Sequence, residues 1–170
     1  MGGYVSDITR VWPVSGKFTP EQRELYEVVL SVQRELVGLC REDADVSLDD
    51  LHTRAEEGLR ERLGQIGFEM GGWKGKRRMN ELFPHHVGHF VGMEVHDTPC
   101  VSRREKLKAG MVVSVEPGVY VPDGEAGWWP ERFRGLAVRV EDTVGIGKEG
   151  PIAMSAEAVK EVDDIEALRS

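Results

Sequence analysis

Over roughly the first third of the chain, apolar residues recur at three- and four-residue intervals, the spacing that gathers them onto one face of a helix. Thr19-Pro20-Glu21-Gln22 supplies a capping threonine, a proline in the first turn and a glutamine placed to bond back to the cap. A helix therefore starts here, and Leu25, Val28, Val29, Val32, Leu36 and Leu39 form its buried stripe as far as about Cys40. A second helix begins near Ser47, with Asp50 completing its cap. Leu51, Ala55, Leu59, Leu63 and Ile66 make its stripe, and Gly67 stops it.

From Gly71 onward the period changes. Glycines and a basic stretch, Lys74-Gly75-Lys76-Arg77-Arg78, read as a solvated loop, and short β-branched runs follow. Val112-Val113-Ser114-Val115-Glu116 and Leu136-Ala137-Val138-Arg139-Val140-Glu141 are the clearest strands, punctuated by Pro117-Gly118 and Pro122-Asp123-Gly124. No repeat and no low-complexity segment interrupts the chain. Residues 1–170 are expected to form one domain of mixed α/β (α+β) class, with its polar chemistry on the strands.

The formal charge of −8 argues against nucleic acid or anionic lipid as a partner. No apolar run approaches the roughly 18 residues that span a bilayer, and no charged leader precedes an apolar core, so no membrane contact and no targeting segment is expected from this chain. Cys40 and Cys100 lie far apart without a CxxC partner and read as reduced thiols, outside any thiolate zinc site.

Four polar residues interrupt apolar strands. Glu116 ends VVSVE immediately before a proline, Arg139 and Glu141 share one face of LAVRVE, and Asp7 breaks the β-like YVSDITR. A carboxylate on such a strand needs a partner, a hydrogen bond or a metal ion. Four of the five histidines crowd into PHHVGHFVGMEVHD, leaving only His52 elsewhere. His85 and His89 have helical spacing, but Gly88 and the lack of a glutamate beside His85 argue against an HExxH zinc helix. Gly88 and Gly92 allow the bends that would bring His89 and His96 together. An imidazole with several carboxylates suits a divalent ion such as Mn, Co, Fe or Zn.

The ordered series YVSDITR, HHVGHFVGMEVHDTP, LKAGMVVSVEPGVYVP and FRGLAVRVEDTV resembles the catalytic domain of the Xaa-Pro aminopeptidases, metallopeptidases of the pita-bread fold. SDITRVWPVSGKFTPEQRELYE and FRGLAVRVED are most similar to the mitochondrial aminopeptidase P branch, which trims presequence-cleavage intermediates. The resemblance implies Asp7, His89, Glu116 and Glu141 as metal ligands, with Glu116 also handling protons. It implies His85 and His96 as substrate-site histidines that stabilise the reacting carbonyl, and Arg139 as a support for the carboxylates. His86 has neither role. The implied substrates are peptide or protein N-termini with proline in second position, the implied ion is manganese with cobalt, zinc and iron as alternatives, and a homodimer is compatible with the family. The compartment stays open between cytoplasm and mitochondrion.

The family's two-metal site also takes an aspartate from the preceding strand of a hairpin, a position that falls before Met1. The resemblance thus implies an incomplete pita-bread domain lacking the first part of its N-terminal half, with one tight metal site instead of two. The strand carrying Asp7 would be left as an open edge. The competing expectation is a non-catalytic remnant that binds a peptide or protein partner.

Overall fold

Both expected helix starts form. Thr19 Oγ1 accepts the Gln22 amide at 3.2 Å while the Gln22 side chain accepts the Thr19 amide at 3.0 Å, opening α1 (Pro20–Gly38). Such a cap stabilises a helix by about 1 kcal/mol. Ser47 and Asp50 repeat the arrangement ahead of α2 (Leu48–Gln65). Gly67, at φ +100°, turns the chain out of α2. The computed structural model describes residues 3–124 and 127–169. α1 packs on α2, and their stripes join one core with residues from the strands.

The basic stretch departs from expectation: Lys74 to Arg78 lie within α3 (Gly72–Leu82), not in a loop. Gly75, Met79 and Leu82 give this helix a buried side, while Lys74, Lys76 and Arg77 stay in water. Gly75 is required by proximity, because a Cβ there would come within 2.0 Å of the Met70 carbonyl oxygen.

Among the described residues five short strands follow: β1 (Val112–Val115), β2 (Gly118–Tyr120), β3 (Ala137–Arg139), β4 (Asp142–Gly145) and β5 (Ile152–Ala153). They form an antiparallel sheet in the order β1-β4-β5 and a separate β2-β3 pair. The single strand expected over Leu136 to Glu141 is therefore corrected: it ends at Arg139, steps through Val140 and Glu141, and resumes as β4 in the other sheet. The cause lies opposite. Val115 pairs with Asp142 and Gly118 with Arg139, so the step faces Glu116 and Pro117, and a proline offers no N–H to carry a ladder through.

The opening run makes no regular strand either. Thr9 forms an isolated antiparallel bridge to Glu141, the Val5 amide donates to the Gly92 carbonyl at 3.0 Å, and Tyr4, Val5 and Ile8 face solvent. A last helix, α4 (Val162–Leu168), was not anticipated; it seats Val162 and Ile165 in the core, but seven residues are too few to display a period. Cys40 is a buried free thiol and Cys100 an exposed one, as expected. Among the described residues no helix is long and apolar enough to cross a membrane.

Candidate metal centre

The polar interruptions meet at the step between the two sheets. His89 Nε2 lies 3.2 Å from Asp7 Oδ2 and 3.4 Å from Glu116 Oε1. Ligand atoms of Asp7, His89 and Glu141 all fall within 4.8 Å of one another, and Glu116 reaches the set through His89. Three parts of the chain deliver these groups: the opening segment, the histidine segment lying along β1, and the step between the sheets, which carries Glu116 and Glu141.

The histidine segment is pressed against β1. The Glu116 amide donates to Val87, Ser114 to His89, and Val91 to Val112, at 2.7 to 3.0 Å. Gly88 permits this contact, since a Cβ there would sit 2.0 Å from the Ser114 carbonyl oxygen. Gly92 has the same role at the next bend, where a Cβ would sit 1.8 Å from Asp97 Oδ2. The bend brings His96 back edge-on to His89, with ring centroids 4.4 Å apart.

His89 Nδ1 lies 3.1 Å from the Phe90 carbonyl. A carbonyl only accepts, so Nδ1 carries a proton and Nε2 is left facing two carboxylates. Burial opposes its charged form, but the bond with Glu116 and the charges of Glu116 and Asp7 raise its pKa above the usual histidine value. Burial pushes Glu116 upward, but the His89 hydrogen bond and charge outweigh it and hold that carboxyl below the usual range. Glu141 behaves oppositely. Only 2% exposed, it has its pKa pushed up to about 7 by burial and by the neighbouring Glu116 and Asp7, against the opposing Thr9 bond and Arg139 charge. Its Oε2 accepts from Thr9 Oγ1 at 2.5 Å, while its buried Oε1 has no donor among the described residues.

That orphaned oxygen is the clearest test of fit for an ion. A buried anionic oxygen with no donor, beside a second carboxylate and an imidazole whose other nitrogen is tied to a carbonyl, is an oxygen and nitrogen donor set for a divalent metal. Asp7, His89 and Glu141 thus form a donor set that suits the ion the resemblance implied, with Glu116 beside His89.

Arg139 lies beyond them. Its Nε donates to Thr9 Oγ1 at 3.1 Å, and the Thr9 hydroxyl donates in turn to Glu141 Oε2, so the guanidinium supports the carboxylate through a threonine. A cavity of about 670 Å³ opens beside the cluster and is lined by His85, His89, His96, Glu116 and Arg139. His96 stands exposed in it with no hydrogen-bond partner for its ring nitrogens among the described residues. His85 is committed on both sides, with Nδ1 2.9 Å from the His86 carbonyl and Nε2 2.8 Å from the Tyr120 hydroxyl. His86 turns away from the metal cluster, stacking on His52 at 4.5 Å with Asp49 3.3 Å from its Nε2. Sequence reasoning missed Thr9, Tyr120, Ser114 and Thr143. Thr9 and Thr143 each sit two residues from a carboxylate already singled out, and that period of two was the available signal.

The chain belongs to metallopeptidase family M24, which it matches over residues 1–148. Among its relatives, intermediate cleaving peptidase 55 of Saccharomyces cerevisiae is 44% identical over 167 residues, spanning 98% of this chain and 32% of that protein. Human Xaa-Pro aminopeptidase 3 is 43% identical over 172 residues, covering 98% and 33%. The crystal structure of the yeast peptidase superposes with a TM-score of 0.91 at 43% identity, over 99% of this chain and 39% of that one. Escherichia coli aminopeptidase P with the inhibitor Pro-Leu gives 0.87 at 34% identity, over 98% and 38%. The fold is accordingly part of a pita-bread domain, and the chain spans about a third of the length of its curated relatives.

Proposed function

We propose that this chain carries the metal-binding part of an aminopeptidase that removes the residue preceding proline from peptide and protein N-termini. The reading rests on one observation above the others: ligand atoms of Asp7, His89 and Glu141 converge from distant parts of the sequence, Glu116 stands 3.4 Å from His89, and one buried Glu141 oxygen has no donor among the described residues. These four residues would hold a divalent ion, manganese by preference, at one tight site. When bound, the ion supplies Lewis acidity and eases the deprotonation of water.

The residues then divide the proton work. Glu116, held ionised by His89, accepts the proton of the attacking water and returns it to the proline nitrogen as the C–N bond breaks. His96, unpartnered in the cavity, donates to the carbonyl oxygen as negative charge gathers there. His85 has both nitrogens occupied, and Nδ1 must donate to a carbonyl, so Nε2 accepts from Tyr120. It therefore orients the Tyr120 hydroxyl unless substrate displaces that bond. Arg139 keeps Thr9, and through it Glu141, in place.

Calorimetric titration with manganese at pH 8, paired with an assay on an Xaa-Pro peptide and on the same peptide with alanine for proline, tests this. One tight site with proline-dependent cleavage is expected. Absence of metal uptake overturns the reading, and uptake without cleavage reduces it to a metal-holding remnant that binds peptide.

A further inference from the structure

We infer that Thr143 is a positioning residue for the metal centre: its hydroxyl clasps the backbone of Asp7 and so fixes where the Asp7 carboxylate points. Asp7 lies outside any strand, and the fastenings of its segment fall two residues to either side, at the Val5 to Gly92 hydrogen bond and the Thr9 bridge to Glu141. Between them, Thr143 Oγ1 donates to the Asp7 carbonyl at 2.5 Å and accepts the Asp7 amide at 3.1 Å. One hydroxyl does both, because it has one proton to give and lone pairs to spare.

Thr143 is well placed to hold something still. It sits in β4, 6% exposed, opposite Ser114 in register, and its carbonyl accepts the Met154 amide at 3.1 Å. A β-branched side chain in a strand has little freedom at χ1. Its neighbours Val140, Val144 and Val113 are fully buried, so valine would suit the position on packing grounds alone. A buried hydroxyl there is tolerated only because both of its bonds are made, and both are made to Asp7.

Its cross-strand partner behaves alike. Ser114 Oγ accepts the His89 amide at 3.1 Å and donates to Glu116 Oε1 at 3.3 Å. Facing hydroxyls on β1 and β4 thus clasp the two segments that bring in Asp7 and His89. The His89 segment has two backbone bonds to β1 and one to Glu116 just beyond it, whereas Asp7 has its clasp alone among the described contacts of its own backbone groups. Loss of Thr143 should therefore matter more than loss of Ser114.

This inference rests on the metal-binding reading above, and the experiment separates the two. Manganese and cobalt affinities are measured by calorimetry on the whole chain, with the cobalt absorption spectrum at saturation and the thermal midpoint recorded for each variant. Thr143→Val should bind either metal 10- to 100-fold more weakly, the usual range for loss of a group that orients a ligand, with an altered cobalt spectrum. Thr143→Ser, which restores the hydroxyl, should keep the parent's affinity and spectrum, and Thr143→Ala should repeat the valine result should the valine chain not fold. Ser155→Ala removes a donor to Asp142 in the same region and touches no ligand. It should lower the midpoint while leaving affinity unchanged. Parental affinity in the valine or alanine variant, or weak binding by the serine variant, overturns the inference alone. A parent chain that takes up no metal overturns the functional reading and this inference with it.

Discussion

Replacing Glu141 with glutamine should make the metal-free protein more stable and the metal-loaded protein less so. In the folded metal-free chain Glu141 is buried, one of its oxygens has no donor, and two carboxylates press on it, so its pKa rises from 4.5 to about 7. The sign follows directly. Between those values the folded chain keeps a proton that the unfolded chain releases, so stability falls as pH rises through this window, and the full penalty is present above pH 7. A difference of about 2.5 pH units corresponds to ~3 kcal/mol. Glutamine has no such charge at any pH and keeps an oxygen for the Thr9 hydroxyl. His89 titrates in both proteins and largely cancels from the comparison.

Relative to the parent, Glu141→Gln should therefore gain up to ~3 kcal/mol between pH 5 and pH 8 when metal is removed by chelator. At 2–4 °C per kcal/mol for a chain of this size, the midpoint difference between the two proteins should shift by roughly 6–12 °C over that range. Adding manganese should reverse the order at pH 8, because only the parent gains from ligand linkage. Thermal unfolding at pH 5, 6, 7 and 8, with chelator and with manganese, is the assay. A midpoint difference that does not change with pH would show that Glu141 bears no buried charge, and the account of the centre would fail with it.

Three further outcomes follow from the same geometry. His89→Ala should abolish tight manganese binding while His96→Ala leaves it nearly intact, since His89 faces the carboxylates and His96 the open cavity; equal loss in both, read by calorimetry, contradicts the division. Manganese binding should release protons below about pH 7, because the raised pKa values of His89 and Glu141 mean that both shed protons to become ligands, so apparent affinity should climb with pH and then level off. Titration in buffers of different ionisation enthalpy measures this, and a release of zero at pH 6 refutes it. Asp142→Ala should destabilise the fold by about 3–5 kcal/mol in urea, because it strands Arg10 and Lys160 in a buried site, and a loss below 1 kcal/mol would show that water already screens them.

The helices were legible because their caps and stripes are local: Thr19 with Gln22 and Ser47 with Asp50 announce themselves within four residues. α3 was not, since a run of lysines, arginines and glycines hides a buried side made of Gly75, Met79 and Leu82. The step at Val140 was invisible for another reason. Alternation runs unbroken through that stretch, and the interruption belongs to Pro117 on the opposing strand, far away in sequence. The ligands were visible one at a time, as carboxylates where strands should be apolar. Their convergence was not, because no spacing rule connects Asp7 with Glu141 across more than a hundred residues, and the family resemblance had to supply it. Thr9 and Thr143 share a face with the carboxylates two residues away, but threonine is an ordinary strand residue and that spacing does not say what their hydroxyls touch.

Residues 7–10 and 141–143 meet side by side. Thr9 bonds Glu141, Arg10 bonds Asp142, and Thr143 bonds Asp7, so DITR and EDT interlock over one short seam. Within it stand two adjacent buried carboxylates with opposite surroundings. Asp142 is met by Lys160, Arg10, Ser155 and Gln33, and despite burial those bonds hold its pKa down at about 2. Arg10 also donates to the Glu141 carbonyl at 2.5 Å, fixing the backbone from which the next carboxylate springs. Glu141 receives one hydroxyl and faces two other anions, which leaves it near pH 7. Neighbouring acids driven apart in this way have different tasks. Asp142 is already neutralised by the protein and holds the seam closed at any pH above about 2, whereas the charge of Arg139 does not offset burial and the neighbouring anions at Glu141, whose Oε1 has no donor among the described residues. A divalent ion at the cluster would offset that charge, so the same seam that closes the fold also positions the carboxylate that such an ion would meet.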